Sequence, residues 1–338
     1  MFPDLRNRGE TCVGPPSHDS FAARAQEYRA AGARAQCDCG PIGASHAPTA
    51  MRHFIKLEWL VIFWLLAAVE AQLAPCTFAQ GLGISSEPSA SKKIDVTYPD
   101  ETTTGIPVDM SLTSATGFTL DVAGATISGL NFQAPVTILA PNVTLRNCKI
   151  TAKGWAVLDI RADGVTLENC EIDGQAAPGI RGISVSGNNV SIRRCNIHHV
   201  EDGIYLTGSS KIDIEDNYIH DLQSQWDGPH FDGIATDGGI SDVLIRGNTV
   251  INPHRQTSAI MLSNYFGPVS GVRVEGNRLV GGGYTVYADG QFDGGKISNV
   301  SFSNNRLGRG YYGHASIVRN SPKWDGNIDD VVGDIVSR

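Results

Sequence analysis

The sequence predicts an all-β solenoid, a parallel β-helix, and three observations predict it. First, one eight-residue pattern recurs: ATISGLNF (125–132), VTLRNCKI (143–150), VTLENCEI (165–172), VSIRRCNI (190–197), IDIEDNYI (212–219), VLIRGNTV (243–250), VRVEGNRL (272–279) and VSFSNNRL (300–307). Each copy alternates apolar and polar residues, bends at a Gly/Asn/Cys pair and resumes with an apolar residue, the period of a half-buried strand. Second, a further short strand precedes most copies: VLDIR, GISVSG, GIYLTG, GIATDG, AIMLSN and TVYADG. Third, no helix long enough for a βαβ crossover lies between the copies, and Asn-Gly hairpin signals are scarce, which argues against α/β layers and against a sandwich. The copies start 18, 22, 25, 22, 31, 29 and 28 residues apart. Units of that size stack as coils, each burying its inner residues against its neighbours. The 38 glycines and few aromatic residues suit short strands and tight turns.

Taken in order, residues 1–50 read as a non-native or disordered extension, because Met51 heads a separate signal. MRHFIK is basic, KLEWLVIFWLLAAVEA (56–71) is apolar, and small residues follow near Ala79. A basic start, an apolar run of about a dozen residues and a small-residue cleavage site describe a secretory signal peptide over 51–79. The run is short for a membrane span; a membrane anchor is the rival reading. Residues 80–101 read as a linker, 102–325 as the β-helix and 326–338 as a C-terminal cap or tail. These boundaries predict a secreted or periplasmic protein with no membrane contact once the signal is removed. The formal net charge of −8 gives no reason to expect nucleic acid.

Cleavage after Ala79 would leave Cys148, Cys170 and Cys195 of seven cysteines. Three cysteines cannot all pair with one another. In the repeat they occupy the sixth position, which reads Leu130, Cys148, Cys170, Cys195, Asn217, Asn248, Asn277 and Asn305. In a coil these residues stack at roughly 4.8 Å. Stacked asparagines pass amide hydrogen bonds from rung to rung, and the cysteines fill the same slot as small buried groups. A zinc site is the rival, but no histidine shares the slot.

The pattern resembles the right-handed, single-stranded parallel β-helix proteins of the pectate-lyase-like superfamily over residues 102–325, with about 8–9 coils. It looks similar to secreted bacterial β-helix repeat proteins with a TTTGIP-like opening (Thr103-Thr104-Gly105-Ile106-Pro107), an H-x-D-G segment (His230-Phe231-Asp232-Gly233), a T-D-G-G segment (Thr236-Asp237-Gly238-Gly239) and a later Gly283-Tyr284. The superfamily contains polysaccharide lyases, hydrolases, epimerases and non-enzymatic binding proteins, so the resemblance implies a fold and a polysaccharide partner without choosing a reaction. The Asp227-Gly228-Pro229-His230 run resembles the Asp-Pro-His run of β-helix epimerases, with a glycine inserted. Paired Asp-Asp and Gly-His-Gly motifs of the polygalacturonase sort are absent.

The longest insertions, HDLQSQWDGPHFD and INPHRQTS, carry Trp226, Asp227, His230, His254 and Arg255. Loops grown from a rigid scaffold are a usual place for binding and catalysis. With Ile183, Ile204, Ile234 and Ile260 inward, Tyr205, Ala235, Met261 and Tyr287 face out, as do Asp237 and Asp289 two residues on; Asp159 and Arg161 extend the two rows. Rings with an apolar face and a polar tip suit sugars. Asp232 and Asp237 lie roughly 16 Å apart along one strand, whereas Asp202 and Asp232 stack roughly 5 Å apart. Two carboxylates that close share a proton or hold a cation, and the spacing fits a retaining glycosidase pair. By strict alternation, however, both have inward parity, and they then serve as turn caps. His230 is the candidate general acid/base, Asp232 its partner and Asp237 a second acid or a cation ligand. Arg161, Asp202, Tyr205, Trp226, Arg255, Tyr287 and Asp289 are the candidate substrate-binding residues, and Arg181 is a further candidate clamp for a uronate carboxylate. No metal ligand is assigned; calcium is the one cofactor that lyase chemistry would call for.

These residues predict a monomeric exported protein that cleaves or epimerises an extracellular polysaccharide, acidic if lyase chemistry applies. The alternative is a non-catalytic glycan-binding or surface protein that uses the coil as a rigid rod.

Overall fold

In the computed structural model, described over residues 97–338 apart from 117, 226 and 227, every strand stacks in parallel on its equivalents in the coils before and after, and no helix occurs among the described residues. The predicted leader, most of the linker and Trp226 lie outside the described residues. Each rung runs through three sheets, of 10, 10 and 9 strands in the order the chain visits them. One rung shows the plan: Val190–Arg193 in the first sheet, Asn196–His198 in the second and Asp202–Leu206 in the third. The repeated pattern forms the first two strands, and the strand that begins GI- forms the third.

Alternation fills the interior. Ile192, Ile197 and Ile204 come from the three sheets of one rung, and each is fully buried. Ile192 pairs in register with Leu167 and Ile214, so like residues stack on like. Burying such a side chain contributes roughly 1.5–3 kcal/mol.

The bend between first and second sheets recurs with one geometry. A left-handed residue (Asn147, Asn169, Arg194, Asp216, Gly247, Gly276 or Asn304) immediately precedes the ladder position. Asn, Asp and Gly tolerate that conformation well. Arg194 is the bulky exception, and its guanidinium is tied to Asn169 Oδ1 at 2.9 Å and to Glu168.

The ladder itself forms as predicted. Asn217 donates to Asn248 Oδ1 at 2.9 Å, Asn248 to Asn277 Oδ1 at 3.0 Å, Asn277 to Asn305 Oδ1 at 2.9 Å, and Asn305 to Asn327 Oδ1 at 2.8 Å. Each acceptor oxygen also takes the backbone N–H of the preceding ladder residue, and each amide donates to a backbone carbonyl as well. Cys148, Cys170 and Cys195 continue the stack as buried free thiols whose Sγ–H groups donate to backbone carbonyls. A hydrogen bond with Cys170, then burial, raises the Cys148 pKa, and burial raises that of Cys170, so these sulfurs are poor thiolates.

Both terminal segments are fastened to the coil, the first along its side at the Arg194 rung and the second over its last rung. Asp100 caps the turn that opens TTTGIP by accepting the backbone N–H groups of Thr102 and Thr103. Gly105 then donates to Arg194 O at 2.9 Å, and a Cβ there would press against Asn196. At the other end Trp324 Nε1 donates to Val336 O at 2.6 Å, and Val336 N–H donates to Asn327 O.

Asn248→Ala strips partners from the buried Asn217 and is expected to cost about 3 kcal/mol or more. Cys170→Ala removes one small sulfur and is expected to cost roughly 1 kcal/mol. Denaturant unfolding of the two variants measures the difference; equal losses would remove the hydrogen-bonded ladder from this account.

Candidate functional site

The site is the outer face of the third sheet, where register lines up the candidates. Asp159, Ser184, Tyr205, Ala235, Met261 and Tyr287 form one outward row, as alternation predicts. A second row, at the start of the strands, runs Ala156, Arg181, Asp202, Asp232, Ser258. Asp202 and Asp232 are therefore one rung apart, as expected.

Their direction is not the one strict alternation implies. Gly182, Gly203 and Gly233 follow the row Arg181, Asp202, Asp232, and each is buried. A Cβ on them would lie 2.6, 2.4 and 2.6 Å from the carbonyl oxygen of the next rung, and close to Ile197, Ile219 and Val250. The glycine and the following isoleucine thus both face the interior, and the alternation slips by one residue. Only glycine permits this, and the slip turns the preceding aspartates outward. Asp202 Oδ2 then lies 3.6 Å from Arg181 Nε, and the Arg181 guanidinium lies over the Tyr205 ring at 4.0 Å and the Trp155 ring at 5.2 Å. Cation–π stacking on two rings fixes the arginine.

The acids are close to dry. The Asp202 side chain is 18% exposed and Asp232 is 8% exposed. Ser258 Oγ donates to Asp232 at 2.7 Å, and Tyr205 donates its hydroxyl to Asp237 Oδ2 at 2.6 Å. Burial raises the Asp202 pKa well above the carboxylate range; Arg181 opposes the rise, and the charges of Asp232, Glu201 and Asp237 add to it. Burial likewise pushes Asp232 up to about 7, with the Asp237 charge adding and Ser258 opposing. Asp237 thus interacts electrostatically with both, although its backbone lies far along the strand. Burial, with the charge of Asp237, also raises Tyr205.

Other candidates sit at the margins. His230 lies at the exposed corner before Asp232, and its backbone N–H donates to Glu201 Oε1 at 3.1 Å. Buried Glu201 also takes Gly179 N–H at 3.0 Å, so it pins two loops beside the strip. Arg161, 56% exposed, pairs with Asp159 at 2.6 Å. Arg255 packs over the Tyr311 ring at 4.9 Å, in a groove also lined by His254 and Arg309. His254 stacks on Phe231 and binds Leu222 O at 2.6 Å. The Tyr287 ring meets Tyr284 edge-on. Asp289 accepts from Gln291 N–H and Gln291 Nε2, as a turn former does. Trp155, Ser258 and Glu201 were not among the sequence candidates. Glu201 precedes Asp202 directly, and Ser258 is the Asp232 equivalent one rung on, so repeat alignment could have found both.

The arrangement defines an acid-bearing parallel β-helix protein with an aromatic-lined outer strip. The pattern of the right-handed β-helix region family matches residues 136–321, and the chain belongs to that family. Among solved structures it is similar to a periplasmic alginate epimerase (18% identity, 62% of this chain and 50% of that one, TM-score 0.39). It is also similar to an alginate lyase from a Paenibacillus species (20%, 56% and 70%, TM-score 0.33) and to a mannuronan C-5 epimerase module from Azotobacter vinelandii (16%, 60% and 64%, TM-score 0.38). This chain thus spans half of the first of these. No curated protein matches it.

A carboxyl whose folded pKa is raised binds its proton more tightly in the folded state. The associated stability is complete below pH about 4 and is lost as pH rises through about 7. Asp232→Asn is therefore expected to match the wild-type stability near pH 4 and to exceed it above pH 7, by at most roughly 4 kcal/mol, with a correspondingly higher melting temperature. Thermal unfolding across that range tests this; a variant less stable at pH 8 would contradict a raised pKa.

Proposed function

We propose that the protein is an exported, monomeric, polysaccharide-processing enzyme, and that Asp202 and Asp232 are its acid–base pair. The observation that carries this reading is the one-rung stacking of two nearly dry carboxyls beside a single, ring-clamped arginine. At neutral pH such a pair holds about one proton between its members. Asp202, held well above its ordinary value despite the Arg181 guanidinium, keeps the proton and gives it to a leaving oxygen, while Asp232, at about 7, attacks or assists from its side. A rung spacing of roughly 4.8 Å is close to the 5–5.5 Å of retaining glycoside hydrolysis. Tyr205, Tyr287 and Trp155 give a sugar chain rings to lie on. Asp237, held by the Tyr205 hydroxyl, is a second acid, and His230 stands at the corner where a chain would pass.

Charge bears on the substrate. Asp202, Asp232 and Asp237 outnumber Arg181, which disfavours an unaccompanied polyanion. A neutral glycan suits the strip directly. A uronate would need calcium as a counter-ion, and calcium enters the reading only in that role.

The protein is incubated with neutral and uronate-containing polysaccharides, with calcium or with chelator. New reducing ends without the ultraviolet absorbance of unsaturated uronates are expected. Asp232→Asn and Asp202→Asn are each expected to lower the rate roughly 10²–10⁴-fold; His230→Ala and Asp237→Ala are run beside them. Unsaturated ends would make the protein a lyase, and solvent-proton exchange without cleavage an epimerase. Glycan binding with no product of any kind would replace the enzyme by a binding module.

A further inference from the structure

The second sheet carries a separate group of polar side chains at its corner with the third. Asp173 and His198 are register partners in adjacent rungs, and His199 follows His198. Consecutive residues in a strand point to opposite faces. Here the strand ends at His198, and His199 takes a left-handed backbone with φ of 52°, which brings its ring back beside the first. The two ring centroids are 4.7 Å apart, nearly perpendicular.

Three ligand atoms converge. His198 Nδ1 and His199 Nδ1 are 2.8 Å apart, and Asp173 Oδ1 lies 3.9 Å from the first and 3.3 Å from the second. Three atoms so spaced share a point about 2 Å from each, the bond length of zinc to imidazole nitrogen and carboxylate oxygen. A metal there replaces a close approach of two imidazole nitrogens, only one of which can be the donor in the neutral rings.

A supporting shell is present. Glu171 Oε1 lies 3.5 Å from His198 Nε2, the carboxylate partner that metal-bound histidines commonly have on their second nitrogen. Lys149 holds the same oxygen at 2.6 Å. Gln175 N–H fixes Asp173 Oδ1 at 2.9 Å. Backbone bonds pin the histidine segment from both sides: His199 N–H to Asp221 O at 3.0 Å, and Ala176 N–H to His199 O at 2.8 Å. His220 is close by, but both its ring nitrogens are engaged, with Asn196 and Asp221. Among the described residues this is the one metal-capable group.

We propose that Asp173, His198 and His199 bind a divalent transition-metal ion of the zinc class. Two imidazoles and one carboxylate select such ions over calcium or magnesium, which take oxygen. Three protein ligands leave at least one position for water or an incoming ligand.

The untagged full chain is titrated with zinc against a chromogenic chelator, and with cobalt while the visible spectrum is followed. Wild type is expected to take up a zinc ion that raises its melting temperature, and a cobalt ion with the absorption of nitrogen and oxygen ligation. His199→Ala and Asp173→Ala are expected to lose at least 100-fold in affinity, and Glu171→Gln roughly tenfold. His220→Ala is expected to bind as wild type does. His199 is 40% exposed, so its alanine variant should fold; metal-free melting curves check each variant. The proposal is overturned if wild type binds neither metal, if folded His199→Ala and Asp173→Ala bind as wild type does, or if cobalt shows only thiolate charge transfer.

Discussion

In-register stacking governs this molecule. Each rung has a left-handed bend between its first two strands, and one side chain there that must match the rung above. Once Asn217, Asn248, Asn277 and Asn305 share their amides, no rung can slide without exposing several buried polar groups at once. A one-residue slip would also carry the stacked isoleucines outward. The core is therefore aligned by polar contacts and filled by apolar ones. The cysteine rungs rely on packing and single weak donors, so the fold depends most on its asparagine half.

That regularity makes one departure productive. At Gly182, Gly203 and Gly233 two neighbouring residues face inward. The local loss of alternation keeps three side chains out of the core, which has no room for them, and presents Arg181, Asp202 and Asp232 on the outside. Because the slip repeats in register, the charges stack in register too. The electrostatic tension of the strip, two raised carboxyls beside one arginine, thus follows from a backbone requirement three glycines meet. The rest of the scaffold absorbs the cost, as rigid solenoids can.

Much of this was legible in the sequence because the repeat is a direct image of the register. The eight aligned segments match the first two strands of eight rungs and the ladder slot, and the set of strands that precede them, GIYLTG and TVYADG among them, carries the outward row of Tyr205 and Tyr287. The one-rung pairing of Asp202 with Asp232 followed from matching D-G-I segments. Their direction did not, since alternation is a rule about residues with side chains and the glycine breaks it silently. Arg181 gave no sign of its clamp, because Trp155 and Tyr205 belong to different rungs. Asp173 and the His198-His199 pair lie some 25 residues apart in sequence, and only the turn at His199 joins them. Where the corner loops extend from their rungs is a matter of particular contacts, such as Glu201 to His230 and Gly179, that carry no periodic signal.

A coil of parallel strands ends in unpaired backbone, and an identical molecule would be the best fit for it. The fastening of Trp324 and Val336 across the last rung bears on that hazard. The backbone carbonyl of each ladder residue accepts an N–H from the following rung, Asn277 O from Arg306 and Asn305 O from Ile328, so the last such carbonyl, on Asn327, would have no donor beyond it. By folding back, the tail gives Asn327 O a donor of its own and lays Val336 over the terminal layer. It works as a stop to growth, shielding the terminal face against fibre-like addition. A chain ending at Asp330 would keep its rungs and lose that protection, gaining a surface on which copies could queue end to end.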